Sequence, residues 1–167
     1  SVCDGALYQG KPTVVIGYGN GAAKSALYMA NLSSKVYLIC TKKELGADAI
    51  YESRLKGKEN LEIHYSSRVT KIAGDEFVTS VTYKEGGKES DIKTESVFIE
   101  YGSVPNTLLA NQLGIEVDDR GFIVTKIETL ETNIPGVFAA GDVCGRIKQI
   151  ATAVGDGCIA ATHAQNY

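Results

Sequence analysis

An α/β fold with a parallel sheet is predicted by three observations. The stretch "KPTVVIGYGNGAAKSALYMANLSSKVYLIC" reads as strand, glycine turn, helix, strand. A set of short strands with turn signals follows and returns to a further buried strand at "SVFIEYG". Helical spacing then reappears in "QIATAVGDGCIAATHAQNY" near the end. Strands alternating with helical patterns point to parallel pairing, because a parallel connection needs a crossover.

"TVVI" is a β-branched run between Pro12 and Gly17, as a buried strand requires. Ala23, Ala26, Leu27 and Ala30 recur at helical spacing, and "KVYLIC" is the second strand. "DAIYESRLK" fits a short helix. "LEIHYS", "RVTKIAG", "EFVTSVTYK" and "DIKTESVFIEYG", with a turn at Gly86-Gly87, predict a small antiparallel insertion. His64, inside one of these strands, reads as structural. "GSVPNT" is a candidate crossing between two structural units. Beyond it, "GFIVTKIETLETNIPGVFAAGDVCG" predicts two short strands around a Pro-Gly turn, "VFAAGD" being a buried one. The last helix is expected to pack through Ile150, Ala153, Val154, Ile159 and Ala160.

The 167 residues suffice for one domain with a core, or for one domain and part of another. Hydrophobic residues at 44% and charged residues at 22% describe a soluble globular chain. A net charge of -3 with no basic run beyond Lys42-Lys43 argues against nucleic acid as partner. Neither a membrane-length apolar stretch nor a signal peptide is recognisable, so a cytoplasmic protein without membrane contact is expected. Cys3, Cys40, Cys144 and Cys158 lack C-x-x-C spacing, so no metal site is expected. Cys40, Cys144 and Cys158 read as buried or half-buried thiols.

The turn Gly17-Tyr18-Gly19-Asn20-Gly21-Ala22 fits G-x-G-x-x-A. Gly17 allows a sharp turn off the strand, Gly19 lets a pyrophosphate approach the backbone, and Ala22 lets the helix pack closely. The helix N-terminus then offers N–H groups and a positive dipole end. Position between a strand and a helix favours a Rossmann-like dinucleotide site over a plain turn. No acid stands at the end of the second strand, where one would read a free ribose 2′-hydroxyl. Lys42 and Lys43 stand there instead, and suit either a 2′-phosphorylated cofactor or a solvated loop.

In order, "CDG", "GK", "VIGYGNGA", "GSVPNT", "TNIPGVFAAGDV" and "QIATAVGDGCIAA" resemble low-molecular-weight thioredoxin reductase along the whole chain. That resemblance implies two dinucleotide domains. Residues 1–105 would be the NADPH domain with its redox entry. Residues 106–167 would be the C-terminal part of an FAD domain whose N-terminal part lies outside the chain. It also implies electron flow from NADPH through FAD and a cysteine pair to thioredoxin or a related small redox protein, in a homodimer. Cys3 takes the place of the flavin-side cysteine, and Asp4 that of its acid-base residue. Their partner cysteine would fall one position before Ser1, so the chain is expected to be a piece that starts just after it, or else a variant without it. The nucleotide turn, Lys42 and Lys43 correspond to the nicotinamide cofactor's contacts, and Gly102 is a further cofactor-binding position. Gly141, Asp142, Val143, Lys148, Gln149, Ile150 and Ala151 correspond to the FAD site, with Asp142 on the ribityl chain and Gln149 and Ile150 at the ring edge.

Departures from the family pattern bear on the cofactor. The family's His-Arg-Arg signature and its further arginine read here as Cys40, Thr41, Lys42 and Gly46. Gly21 also replaces a small hydroxyl residue. Charge-assisted phosphate contacts are worth about 1.5–3 kcal/mol each, and lysine lacks arginine's bidentate fork. A weak or altered choice between NADPH and NADH is therefore expected. The alternatives are a flavoprotein without dithiol chemistry and a reductase fed by a protein donor such as ferredoxin.

Overall fold

The structure, a computed structural model, describes residues 2–167. Ser1, which the resemblance makes a spacer of the redox motif, lies outside them. The chain divides into two compact units, Ser1–Gly102 and Ser103–Tyr167.

The first unit is built on a parallel sheet. Strands β1 (Pro12–Gly17), β2 (Lys35–Ile39) and β3 (Leu61–His64) are joined through helices α1 (Gly19–Ala30) and α2 (Ala49–Lys56). An antiparallel sheet of β4 (Ser67–Gly74), β5 (Val78–Glu85) and β6 (Lys88–Lys93) follows, and β7 (Ser96–Glu100) returns beside β1. The parallel order is β3-β2-β1-β7. The predicted α/β class, with its small antiparallel insertion, is the fold observed.

Alternation along β1 explains the layers. Val15 packs with Ala22, Ala26 and Met29 of α1, whereas Val14 and Ile16 pack with Val81, Tyr83 and Ile92 of the insertion. Successive strand side chains point to opposite faces, so one apolar run fills two cores. Thr13 is polar yet fully buried, and its hydroxyl pairs with Ser33 at 2.9 Å and Ser96 at 2.8 Å. Those bonds offset the cost of burying it.

The second unit contains α3 (Leu108–Gln112), a 3-10 turn at Gly141–Cys144 and α4 (Ile150–Gln165). The two strands expected around Pro135-Gly136 are reduced to single bridges, Val117 with Ile123 and Glu131 with Phe138. "VFAAGD" is correspondingly half-buried through Val137, Phe138, Ala139 and Ala140 rather than a buried strand. The Thr132 hydroxyl accepts from Ile134 N–H and donates to the Val137 carbonyl, closing the turn at Pro135-Gly136.

The expected packing face of α4 is corrected too. Ile150 is 84% exposed and Val154 67%, while the buried residue of the helix is Asp156. Its carboxylate accepts from Gly141 N–H at 3.3 Å and faces Arg146 Nε at 3.7 Å. A Cβ on Gly141 would stand 3.3 Å from Ala153 Cβ, so Ala153, of the expected packing residues, lies with Asp156 against the 3-10 turn. Ile150, Val154 and Ile159 consequently point outward. Cys158 is exposed with them, contrary to expectation, whereas Cys40 is buried and Cys144 half-buried.

Candidate functional site

The glycine turn joins β1 to α1. A Cβ on Gly17 would meet the Glu100 carbonyl oxygen at 2.5 Å, so this glycine is required by the close approach of β7. Gly19 differs: its φ is +72° and the space where a Cβ would stand is open for 4 Å. Only glycine adopts that conformation without cost, and it leaves the backbone accessible to a ligand. The Gly19 N–H is already donated to the Leu45 carbonyl at 2.7 Å. Tyr18, the N-cap, makes no side-chain cap bond. The backbone N–H groups of Asn20 and Gly21 are therefore first-turn donors without intrahelical acceptors. This turn fits a pyrophosphate.

Asn20 has a different duty for its side chain. It donates to Asp48 Oδ2 at 2.9 Å and accepts from Asp48 N–H at 2.8 Å, tying α1 to the start of α2. Ala22 is fully buried against the sheet. The Glu100 carboxylate reaches the same turn, its Oε2 3.8 Å from a Cβ built on Gly21. Gly102 is exposed beyond β7, with φ +88°.

Beyond β2, Lys42 places Nζ over the Tyr18 ring, 5.7 Å from its centroid, and Lys43 is exposed. A cavity of about 620 Å³ lies at this edge of the sheet, lined among others by Ile16, Thr41, Arg68 and Tyr101. Burial raises the Tyr101 hydroxyl above its ordinary pKa, while a Thr41 hydrogen bond and the Arg68 charge oppose the rise. Sequence reasoning missed Arg68, whose only local signal is a lone cation in a strand.

Cys3 and Asp4 are exposed at the start of the unit and lead into a 3-10 turn over Gly5–Tyr8. Gly5 is buried: a Cβ there would lie 2.7 Å from Met29 Sδ and 2.8 Å from Tyr28 Cε1. The glycine of "CDG" thus seats the segment on α1, and Tyr8 packs edge-on to Phe98. Asp4 borders a cavity of about 480 Å³ with Leu7, Tyr8, Phe77, Glu76 and Glu95. It shares no lining residue with the cavity at the sheet's edge, so Asp4 and that cavity are separate places on the unit. His64 sits between Glu62 and Glu85, at 3.3 and 3.2 Å, against the Tyr83 ring.

In the second unit Asp142, Val143 and Lys148 line one cavity of about 270 Å³ with Phe122, Pro105 and Asn106. Lys148 Nζ donates to Ser103 Oγ and lies 5.0 Å from the Phe122 ring centroid. Gln149 is the N-cap of α4 without a side-chain bond, and Ile150 and Ala151 form its exposed first turn outside that cavity. Gly141 is buried behind it on Asp156. Asp156 was also missed, although an acid within a small-residue helix is a readable signal. A polyol with an anionic neighbour suits the Asp142–Lys148 pair and the uncapped helix end.

A parallel sheet with a glycine turn opening its first crossover helix defines the class: a nucleotide-binding α/β protein of Rossmann-like architecture. Residues 2–157 match the model of the pyridine nucleotide-disulphide oxidoreductases, and the chain belongs to that family. Thioredoxin reductase of Spironucleus barkhanus is 37% identical over 171 residues, covering 100% of this chain and 55% of the relative. Thioredoxin reductase of Listeria innocua is 39% identical over 171 residues, covering 100% of this chain and 53% of the relative. The crystal structure of thioredoxin reductase from Streptococcus pyogenes superposes with a TM-score of 0.86 at 34% identity, covering 99% of this chain and 55% of that one. The chain spans about half the length of the thioredoxin reductases it matches. Among the described residues, no helix is long and apolar enough to cross a membrane.

Proposed function

We propose that the chain is the larger part of a flavoprotein disulfide reductase that passes electrons from a nicotinamide cofactor through FAD and a cysteine pair to thioredoxin or a related small redox protein. The observation that carries this reading is the exposed Cys3-Asp4 pair, seated by Gly5 on the very helix whose other end forms the nucleotide turn. In this reading residues 1–105 hold the nicotinamide cofactor and residues 106–167 belong to the flavin domain, in a homodimer.

The chemistry a bound FAD supplies is two-electron transfer between a nicotinamide and a disulfide. The chain's own residues do the rest. Asn20 and Gly21 N–H groups hold the nicotinamide cofactor's pyrophosphate at the end of α1. Asp142 would accept from polyol hydroxyls of the flavin, and the α4 N-terminus at Gln149–Ala151 would supply a positive dipole end that favours its reduced, anionic form. Two electrons and two protons convert the disulfide between Cys3 and a partner thiol from outside these residues into two thiols. Thiol–disulfide exchange then reoxidises the pair and leaves the acceptor reduced. Asp4 carries the proton to and from Cys3 Sγ, because the thiolate is the reactive form. The outward apolar stripe of α4, Ile150, Val154 and Ile159, is the surface on which the rest of the flavin domain packs.

The test is stopped-flow kinetics on the FAD-loaded protein in its full natural length, with Cys3→Ser beside it. The reading expects NADPH or NADH to reduce the flavin in both forms, and only the unsubstituted protein to reduce thioredoxin. Equal thioredoxin reduction by both would remove Cys3 from the pathway. Flavin reduced only by a protein donor such as ferredoxin would replace the nicotinamide.

A further inference from the structure

Strand β4 begins by pairing with the loop after β2. Ser66 and Ser67 N–H donate to the carbonyls of Lys42 and Cys40, each at 2.9 Å. That stitching brings Arg68 to the carboxyl ends of β1 and β2, the edge where open parallel sheets take ligands. There it lines the cavity of about 620 Å³ with Thr41, Ser66 and Tyr101, and no carboxylate lines it. Such a volume falls within the range of small-molecule sites. Arg68 forms no ion pair among the described residues, and neither does Lys42. The Tyr18 ring, under the Lys42 ammonium, stands 6.2 Å from the Tyr101 ring. Two cations without carboxylate partners and two aromatic rings thus gather at the ends of β1, β2 and β7.

We propose that Arg68 is the 2′-phosphate ligand of the nicotinamide cofactor's adenosine, with Lys42 as a second cation, so that the chain selects the 2′-phosphorylated cofactor. The proposal rests on the nucleotide reading of the glycine turn. Its ligand chemistry is that of an adenosine carrying a phosphate on the 2′-oxygen. A guanidinium grips a phosphate through two parallel N–H bonds, which a lysine cannot do. No acid at the end of β2 competes for a free 2′-hydroxyl. The aromatic rings offer faces for the base. Arg68 thereby supplies, from a strand far along the chain, the fork missing from Cys40, Thr41 and Gly46.

The probes are 2′,5′-ADP and 5′-AMP, titrated calorimetrically into the 167-residue chain, into Arg68→Ala and into Arg68→Lys. Unsubstituted chain is expected to bind 2′,5′-ADP more tightly than 5′-AMP. Arg68→Ala should weaken 2′,5′-ADP about tenfold to a hundredfold and leave 5′-AMP unchanged. Arg68→Lys should recover part of the loss, and unchanged urea midpoints would show that both variants fold. Binding of both nucleotides with no preference, or a preference that survives Arg68→Ala, overturns the role of Arg68 and leaves the turn a nucleotide site. Binding of neither to the unsubstituted chain overturns both.

Discussion

The two units of this chain bury apolar surface in opposite ways. In the first, Val14, Val15, Val36, Leu38, Met29 and Val81 are fully enclosed between helices, parallel sheet and insertion. In the second, the core is a small cluster around Ala110, Ile115 and Ile123, while Leu108, Ile127, Ile147 and Ile150 face solvent. A parallel sheet covered on both faces closes its own core. A unit of single bridges and one long helix does not, and its exposed stripe has the character of a surface that takes a partner. The difference teaches that the first unit carries its own stability, while the second is held by polar anchors.

The contrast is sharpest at Met29. Met29→Ala should cost about 2–5 kcal/mol, because the enclosed site cannot collapse around the lost volume. Urea denaturation followed by circular dichroism measures it, and a loss below about 1 kcal/mol would mean the first core is not closed.

Asp156→Ala tests the polar anchor. It leaves the Gly141 N–H and Arg146 without their partner, at a cost of about 1–3 kcal/mol confined to the second unit. Hydrogen exchange at the Gly141 amide should accelerate while the first unit's strands stay protected. Equal acceleration in both units would break the distinction.

Smaller still is the effect of Ile150→Ser with Val154→Ser. Both side chains are exposed, so the chain's own stability should change by no more than about 0.5 kcal/mol. The full-length protein should nonetheless lose its flavin. Retention of flavin absorbance through gel filtration would refute the docking role given to this stripe.

The cysteines give the mildest comparison, a matter of rates. Cys3 and Cys158 are exposed and should alkylate first, Cys144 later and Cys40 last. Burial pushes the Cys144 thiol up, with the Asp156 charge adding to the rise and Arg146 opposing it. A raised pKa keeps this thiol protonated at neutral pH, so its rate should climb as pH rises past the ordinary thiol range. Mass-spectrometric labelling over a pH series checks the order, and a flat profile at Cys144 contradicts it.

Legibility in the sequence follows the same division. "TVVIGYGNGAAKSAL" announced strand, turn and helix because each is specified by neighbours within a few residues. Even there, the reason for Gly17 was hidden, since the atom that excludes a side chain belongs to Glu100 on β7. Apolar spacing in "IATAVGDGCIAA" identified α4 as a helix with a stripe. It did not reveal which side would be covered, because Asp156 engages a turn that lies fifteen residues earlier.

What the sequence by itself determined is the order of elements and the place of the glycine turn, which rest on local spacing, and, through the resemblance of its motifs, the family. Only the tertiary structure decided that Arg68 lines one cavity with Thr41 and Tyr101, that Gly5 seats the Cys3-Asp4 segment on Met29, and that Ile150 and Val154 of α4 face outward. Each of these depends on contacts between residues distant along the chain. Strand registration and helix docking create such contacts, and no local pattern encodes them.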